Sequence, residues 1–416
     1  MSRRAALAVL LLAATCLPAR AQDFLPPKES ALAAIDAYAE VRAANADVEQ
    51  ARARADALQA GPHETQLTLS PLRRRVTGES IGGSDRANYN EWEVQLARPI
   101  RLPGKSGLDR ESGEHGTRAA ELRQGDAEHQ AARTLLTRWM NWLRAAAAAQ
   151  TARERHDWLA REQAALTRRV KLGDAAQREL DQMDAALASA EAESRANQAD
   201  MQASRLALIL GFPQVPVPEN APVLPEPTPL AGTTQDWTER IITRSHEIGA
   251  LEETAAQHDA LARRANAERY PDPTLGVRTF NEFGGIEHGI GVVLTIPFSG
   301  ARRAAEARAE AAVADAAHSQ AEAMRRDITL TANLTVTRAQ TAIDLWQIAN
   351  TARAANAASL EKQRRAYELG EIGLTERLQA ERLDIEAAMT ELRARTDAHE
   401  AKLLILIDSH ELWHSN

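Results

Sequence analysis

Two periodicities alternate along the chain. Long stretches rich in Ala, Arg, Glu and Asp carry sparse apolar residues at helical spacing, and short stretches carry apolar residues at every second position. Glu29 to Ala60 predicts a helix stopping at Gly61-Pro62, and Thr238 to Arg269 predicts its counterpart, stopping at Tyr270-Pro271. A strand-like run follows each, Thr65 to Val76 and Thr274 to Phe283. Turn signals come next, Gly78 to Asn88 and Gly284-Gly285, then returning strands that end at Pro99 and Pro297. In these, Trp92, Val94, Leu96 and Ile100 share one face against Glu91, Glu93, Gln95 and Ala97. Ile290, Val292, Leu294 and Ile296 likewise oppose Gly289, Gly291, Val293 and Thr295. A period of two with one apolar face is what a half-buried strand needs.

A long helix is predicted after each hairpin, roughly Gly107 to Leu172 and roughly Arg302 to Leu369. At 1.5 Å per residue each is on the order of 100 Å long, far beyond globular helices. Gly173 follows the first, Gly370 and Gly373 the second, and further helices return to about Leu210 and about Ile407. Alanines such as Ala145 to Ala149, Ala188, Ala192 and Ala196 allow close helix packing with hydrated faces. The order of parts is the same in both halves, so the chain reads as one unit written twice. Pro62 and Pro271 are 209 residues apart, Pro99 and Pro297 only 198, so the first hairpin is 11 residues longer. Seven of the 17 prolines fall between Pro213 and Pro229, an extended linker (213–236) dividing repeats 22–212 and 237–416.

The polar helices offer the hairpins no further strands to build a soluble sandwich, and a lipid-facing barrel wall explains their alternation. Four strands cannot close a barrel, and open edges are not tolerated in lipid. Three copies would pool 12 strands, which makes oligomerisation an expectation. Composition agrees. Arg3 and Arg4, the apolar run Ala5 to Leu12 and Ala19-Arg20-Ala21 read as a signal peptide, residues 1–21. Its removal takes away three arginines, leaving 47 basic against 58 acidic residues; such a balance argues against nucleic acid. The single cysteine, Cys16, lies in the leader, so no disulfide, thiol nucleophile or Cys-based metal site is expected; acylation of Cys16 as a lipoprotein is the other reading.

With the repeat in view, the chain resembles the TolC-like outer-membrane efflux proteins over essentially its whole mature length. Ala267-Glu268-Arg269-Tyr270-Pro271-Asp272-Pro273-Thr274-Leu275-Gly276 resembles the family's helix-to-strand entry, in the flavour of members paired with cobalt–zinc–cadmium and copper–silver exporters. Thr295-Ile296-Pro297-Phe298-Ser299-Gly300-Ala301-Arg302 resembles its strand-to-helix exit, and Arg98-Pro99-Ile100-Arg101-Leu102-Pro103-Gly104-Lys105 is the first-half version. Tyr367-Glu368-Leu369-Gly370, with Leu374, Thr375, Glu376 and Leu378, resembles the Tyr-x-x-Gly motif of the periplasmic tip. The resemblance implies a mainly α fold with membrane β: a homotrimer sharing a 12-stranded barrel in outer-membrane lipid, continued by a helical tunnel. It also implies passive conduction of metal cations or drugs, with a periplasmic membrane-fusion adaptor and an RND-type inner-membrane pump as partners and no cofactor. The alternative from another class is a secreted periplasmic coiled-coil structural or adaptor protein without a barrel, against which the two hairpins speak.

In that family the tip turns receive the adaptor's helical hairpins. Matching positions are Tyr367, Gly370, Leu374 and Thr375, with Leu172 and Gly173 in the first half, where Val170 replaces the tyrosine. The bland reading of each glycine is a plain helix C-cap. Six residues beyond the tip glycines lie Glu179 and Glu376. Three copies of Glu376 would form a negative constriction; the other reading is a solvated glutamate paired with Arg377 or Arg382. Tyr89, Trp92, Phe280 and Phe283 are candidates for an interfacial aromatic girdle or for plain hairpin packing.

One motif invites an enzyme. His410-Glu411-Leu412-Trp413-His414 is a literal H-E-x-x-H, which on a helix would aim both histidines at zinc. Only Ser415 and Asn416 follow, with no downstream third ligand, so neither proteolysis nor a metal site is expected. The remaining histidines show no ligand spacing, and Trp139 and Trp142 read as packing.

Overall fold

The computed structural model describes residues 24–80, 83–298 and 300–414. The expected signal peptide with Cys16, together with Ser299 of the exit motif, lies outside them. In chain order the elements are α1 (Lys28–Asp36), α2 (Ala39–Ala60), β1 (Gln66–Ser80), β2 (Gly83–Pro99), α3 (Lys105–Lys171) and α4 (Gln177–Gly211), then α5 (Thr234–Thr243), α6 (His246–Ala267), β3 (Thr274–Glu282), β4 (Glu287–Thr295), α7 (Ala301–Glu368) and α8 (Leu374–Asp408). The two halves are matched: α3 has 67 residues and α7 has 68, and α4 and α8 have 35 each.

The four strands form one antiparallel sheet in the order β1-β2-β3-β4. Each strand runs directly into a helix, and α2, α3, α6 and α7 pack side by side in the same order as their strands. At the far end α3 turns into α4 and α7 into α8, giving two long antiparallel hairpins of helices.

Three expected elements differ from those observed. The helix expected over Glu29 to Ala60 is broken at Ala37–Tyr38, where Tyr38 turns extended and stacks its ring on Phe212, centroids 5.1 Å apart. Aromatic packing here outweighs helix propensity. The helix expected over Thr238 to Arg269 is broken in the same way, because the Ser245 hydroxyl accepts from Ile248 N and starts a new helix. Its first segment begins earlier than expected, where Thr233 and Asp236 form a reciprocal capping box. The third difference is the turn expected over Gly78 to Asn88: the strands pair through to Ser80↔Gly83. Their polar residues carry no hydrophobic alternation, so the extra length of the first hairpin is ladder rather than loop.

The core lies midway along the long helices. Leu135, Leu136, Trp139, Met140, Trp142 and Leu143 of α3 pack with Phe24, Phe212, Leu403, Ile407 and Trp413. Trp139 Nε1 donates to Phe24 O at 2.9 Å, which satisfies its buried N–H. The proline-rich linker is laid along α8: His399 Nε2 is 2.9 Å from Pro225 O, and Lys402 Nζ donates to Thr228. Short helices, linker and C-terminal segment thus form a belt around an otherwise thin bundle.

Candidate functional site

The sheet has two unlike faces. Residues opposite one another in the register share a face, so Leu67, Leu96, Val277 and Val292 form one apolar row and Leu69, Val94, Thr279 and Ile290 the next. These side chains are largely open, Val292 74% and Ile290 79% exposed. The opposite face carries Gln66, Thr68, Ser70, Gln95, Glu93 and Arg278, with Arg74 paired to Glu91 at 3.1 Å. Among the described residues nothing covers the apolar face, and β1 and β4 are both unpaired on their outer edges. Of the aromatic girdle candidates only Trp92 stands on the apolar face. Phe280 lies in the Glu93 row and Tyr89 in the Arg74 row, and Tyr89 meets Phe283 edge-on with centroids 5.3 Å apart. Packing within the hairpins accounts for those three.

Below the sheet a network of charges joins the repeats. Lys105 Nζ, 2% exposed, donates to Asp272 Oδ1 (2.9 Å), Tyr270 O (2.8 Å) and Glu268 Oε1 (3.1 Å). His63 Nε2 is 2.9 Å from Asp272 Oδ2, and the Leu102 amide donates to Asp272 Oδ1. Burial alone would raise the Asp272 pKa, but these donors outweigh it and hold it at about 2.

At the opposite end, Gly173 (φ +81°) and Gly370 (φ +74°) close α3 and α7. Asp174 N donates to Arg169 O and Glu371 N to Ala366 O, both at 2.9 Å, so each turn is a Schellman motif with glycine at its left-handed position. Leu172 is 77% exposed beside its turn, and Thr375 is exposed, its hydroxyl 3.4 Å from Gln182 Oε1. Tyr367 is half-buried, with the Arg377 guanidinium 4.9 Å from its ring centre. Leu374 is 2% exposed and packs with Leu159, Leu166 and Met183, so it supports the turn from beneath and presents no surface to a partner.

No family model matches the chain, and no curated protein matches it. Solved structures do. The outer-membrane channel OprN superposes with a TM-score of 0.76 at 19% identity, covering 93% of this chain and 90% of that one. The outer-membrane protein VceC of Vibrio cholerae gives 0.73 at 16% identity, covering 94% and 97%. The CmeC outer-membrane channel of Campylobacter jejuni gives 0.71 at 16%, covering 95% and 88%. The chain has the TolC-like fold.

Within this TolC-like frame the acidic candidates sit at corresponding places. Glu179 and Glu376 each occupy the third position of a returning helix, where a carboxylate faces the positive end of the helix dipole. Glu376 is exposed and pairs with neither expected arginine: Arg377 binds Glu162 (3.0 Å) and Arg382 binds Glu386 (3.5 Å). The H-E-x-x-H segment lies beyond the end of α8, with His410 at φ +58°, so its histidines do not share the helical face a zincin requires. Sequence reasoning missed the junction network. Lys105, Asp272 and His63 belong to three separate segments, and the only signal was three ionisable residues close to the prolines that flank the hairpins.

Proposed function

We propose that the chain is one subunit of an outer-membrane efflux duct. The observation that carries this is the uncovered apolar face of a four-stranded sheet with two open edges. In lipid such a face is satisfied, and pairing β4 of one copy with β1 of the next in a homotrimer closes a 12-stranded barrel. No described helix is long and apolar enough to cross a membrane, so the strands are the membrane-spanning part of this reading. The α3–α4 and α7–α8 hairpins then extend as a tunnel of about 100 Å into the periplasm. The duct conducts passively, receiving cargo from an RND-type inner-membrane pump through a periplasmic membrane-fusion adaptor.

In the same reading the turns at Gly173 and Gly370, with Leu172, Tyr367 and Thr375, dock the adaptor, and three Glu376 carboxylates narrow the entrance. We favour metal cations over drugs as cargo, on the flavour of the Ala267–Gly276 segment. The test is fractionation of expressed cells, followed by gel migration of the outer-membrane fraction unboiled and boiled. The expected result is a band near three times the subunit mass that collapses on heating. A soluble periplasmic monomer would overturn the reading in favour of a barrel-free coiled-coil protein.

A further inference from the structure

The His410–His414 motif is not isolated in space. Beyond α8 the chain folds back with His410 at φ +58° and Trp413 at φ +51°, backbone that bulky residues rarely adopt and that tends to persist where a site imposes it. The fold-back carries His410 and His414 against His246, the first residue of α6, and His129 of α3. Ring centroids are 4.5 Å apart for His410–His414, 4.7 Å for His246–His410, 5.8 Å for His129–His410 and 6.3 Å for His246–His414. Four imidazoles from three segments therefore share one half-buried place.

Their nitrogens are largely unused. Among the described residues His246, His410 and His414 make no side-chain hydrogen bond, whereas His63, His115, His318 and His399 all do. His129 Nε2 lies 3.3 Å from Asp408 Oδ1, which Arg133 also holds at 2.8 Å. A carboxylate behind an imidazole is the usual support of a metal-binding histidine. Burial first, then the neighbouring imidazoles, pushes His410 down to about 4, and burial lowers His246 and His414 too. Burial thus favours the neutral form of His246, His410 and His414, which keeps a lone pair on each ring.

With a metal–nitrogen distance of about 2.0–2.1 Å, imidazole centres sharing one ion lie about 4.5–6.4 Å apart. The four ring pairs in contact lie 4.5–6.3 Å apart, with His129 joined to the group through His410. As placed, the rings stack within 19° to 22° of parallel for two of the pairs, and no three ligating groups converge among the described residues. Binding therefore needs the rings to turn about their side-chain torsions. We propose that His129, His246, His410 and His414 bind one divalent late first-row transition ion (Cu2+, Zn2+ or Ni2+), fastening the C-terminal segment to α3 and α6.

The test uses the untagged full chain in detergent, stripped with chelator and titrated with Zn2+ by calorimetry and with Cu2+ by electron paramagnetic resonance. The expected result is one ion per chain, with Cu2+ hyperfine couplings from at least three imidazole nitrogens. Replacing His246→Ala and His410→Ala together should weaken binding at least about tenfold, while His318→Ala, an exposed histidine on α7, leaves it unchanged. The Cu2+ spectrum of the native chain decides the matter even if the double variant does not fold. No binding, binding undiminished in a folded double variant, or a spectrum with fewer than three imidazoles overturns the proposal.

Discussion

His63 Nε2 and Asp272 Oδ2 lie 2.9 Å apart, and the two residues stand at the same position of the two repeats, each directly after its proline. Equivalent positions of the two repeats thus meet in a polar contact at the base of the sheet, and Lys105 completes it from below. A buried charge that loses its partner costs about 3–5 kcal/mol. Lys105→Ala, which takes the buried ammonium from Asp272 but leaves it His63 and the Leu102 amide, is expected to destabilise the chain by no more than about 3 kcal/mol. Arg302→Ala, which removes an exposed Glu306 pair, is expected to cost under about 0.5 kcal/mol. Thermal unfolding followed by circular dichroism in detergent measures both.

The same contact sets an acid limit. Asp272 is held at about 2, below the ordinary carboxylate value of about 3.9. A depressed carboxylate adds stability that is fully present above the unfolded value and fades as pH falls through the folded one. Asp272→Asn is therefore expected to lower stability at pH 6 and to flatten its fall between about pH 4 and pH 2. Denaturant midpoints across that range would show it. A variant whose acid profile matches the native one would remove Asp272 from the account.

The two faces of the sheet predict opposite tolerances. Val292→Lys places a charge on the apolar face and is expected to cost about 2–4 kcal/mol of insertion if that face meets the bilayer middle. Thr68→Lys, on the polar face, is expected to insert nearly as well as the native chain. The yield of heat-modifiable oligomer in outer-membrane fractions compares them, and equal yields would contradict the lipid-facing assignment.

The tip turns offer a narrower test. A Cβ added at Gly370 meets no atom within 4 Å, so Gly370→Ala carries only the left-handed backbone penalty of about 1 kcal/mol. At Gly276 the added Cβ would lie 2.8 Å from Ala97 Cβ and 2.9 Å from Leu96 O, so Gly276→Ala must push β3 from β2. The second is expected to destabilise by clearly more, as hydrogen exchange in the β2–β3 ladder would reveal.

Much of the architecture was legible because its signals are local and repeated. Pro62 and Pro271 bound the same element in both halves, and helices expected from Gly107 and Arg302 begin at Lys105 and Ala301. The Trp92–Leu96 alternation placed one side of β2 correctly for the same reason. Elements governed by distant partners were not legible. Tyr38 breaks a helix only because Phe212 waits for its ring, and Leu374 reads as a tip residue until Leu159 and Met183 bury it. The H-E-x-x-H spacing marks His410 and His414, but nothing in the sequence ties His129 and His246 to them.

The unequal hairpins have a consequence for the outer rim. From the row Gln66–Ala97–Gly276–Val293, the first hairpin climbs fourteen steps to Ser80 and the second only six to Glu282. At about 3.3 Å per residue the difference is about 26 Å along the strands. Above Trp92 the β1–β2 ribbon has no β3 ladder partner and is held by its own ladder, the Arg74–Glu91 pair and the Phe283 contacts with Tyr89 and Glu91. A closed ring of three such chains would be crenellated, with tall merlons divided by low gaps. In the proposed duct, the first repeat would then reach well beyond the second at the open rim of the barrel.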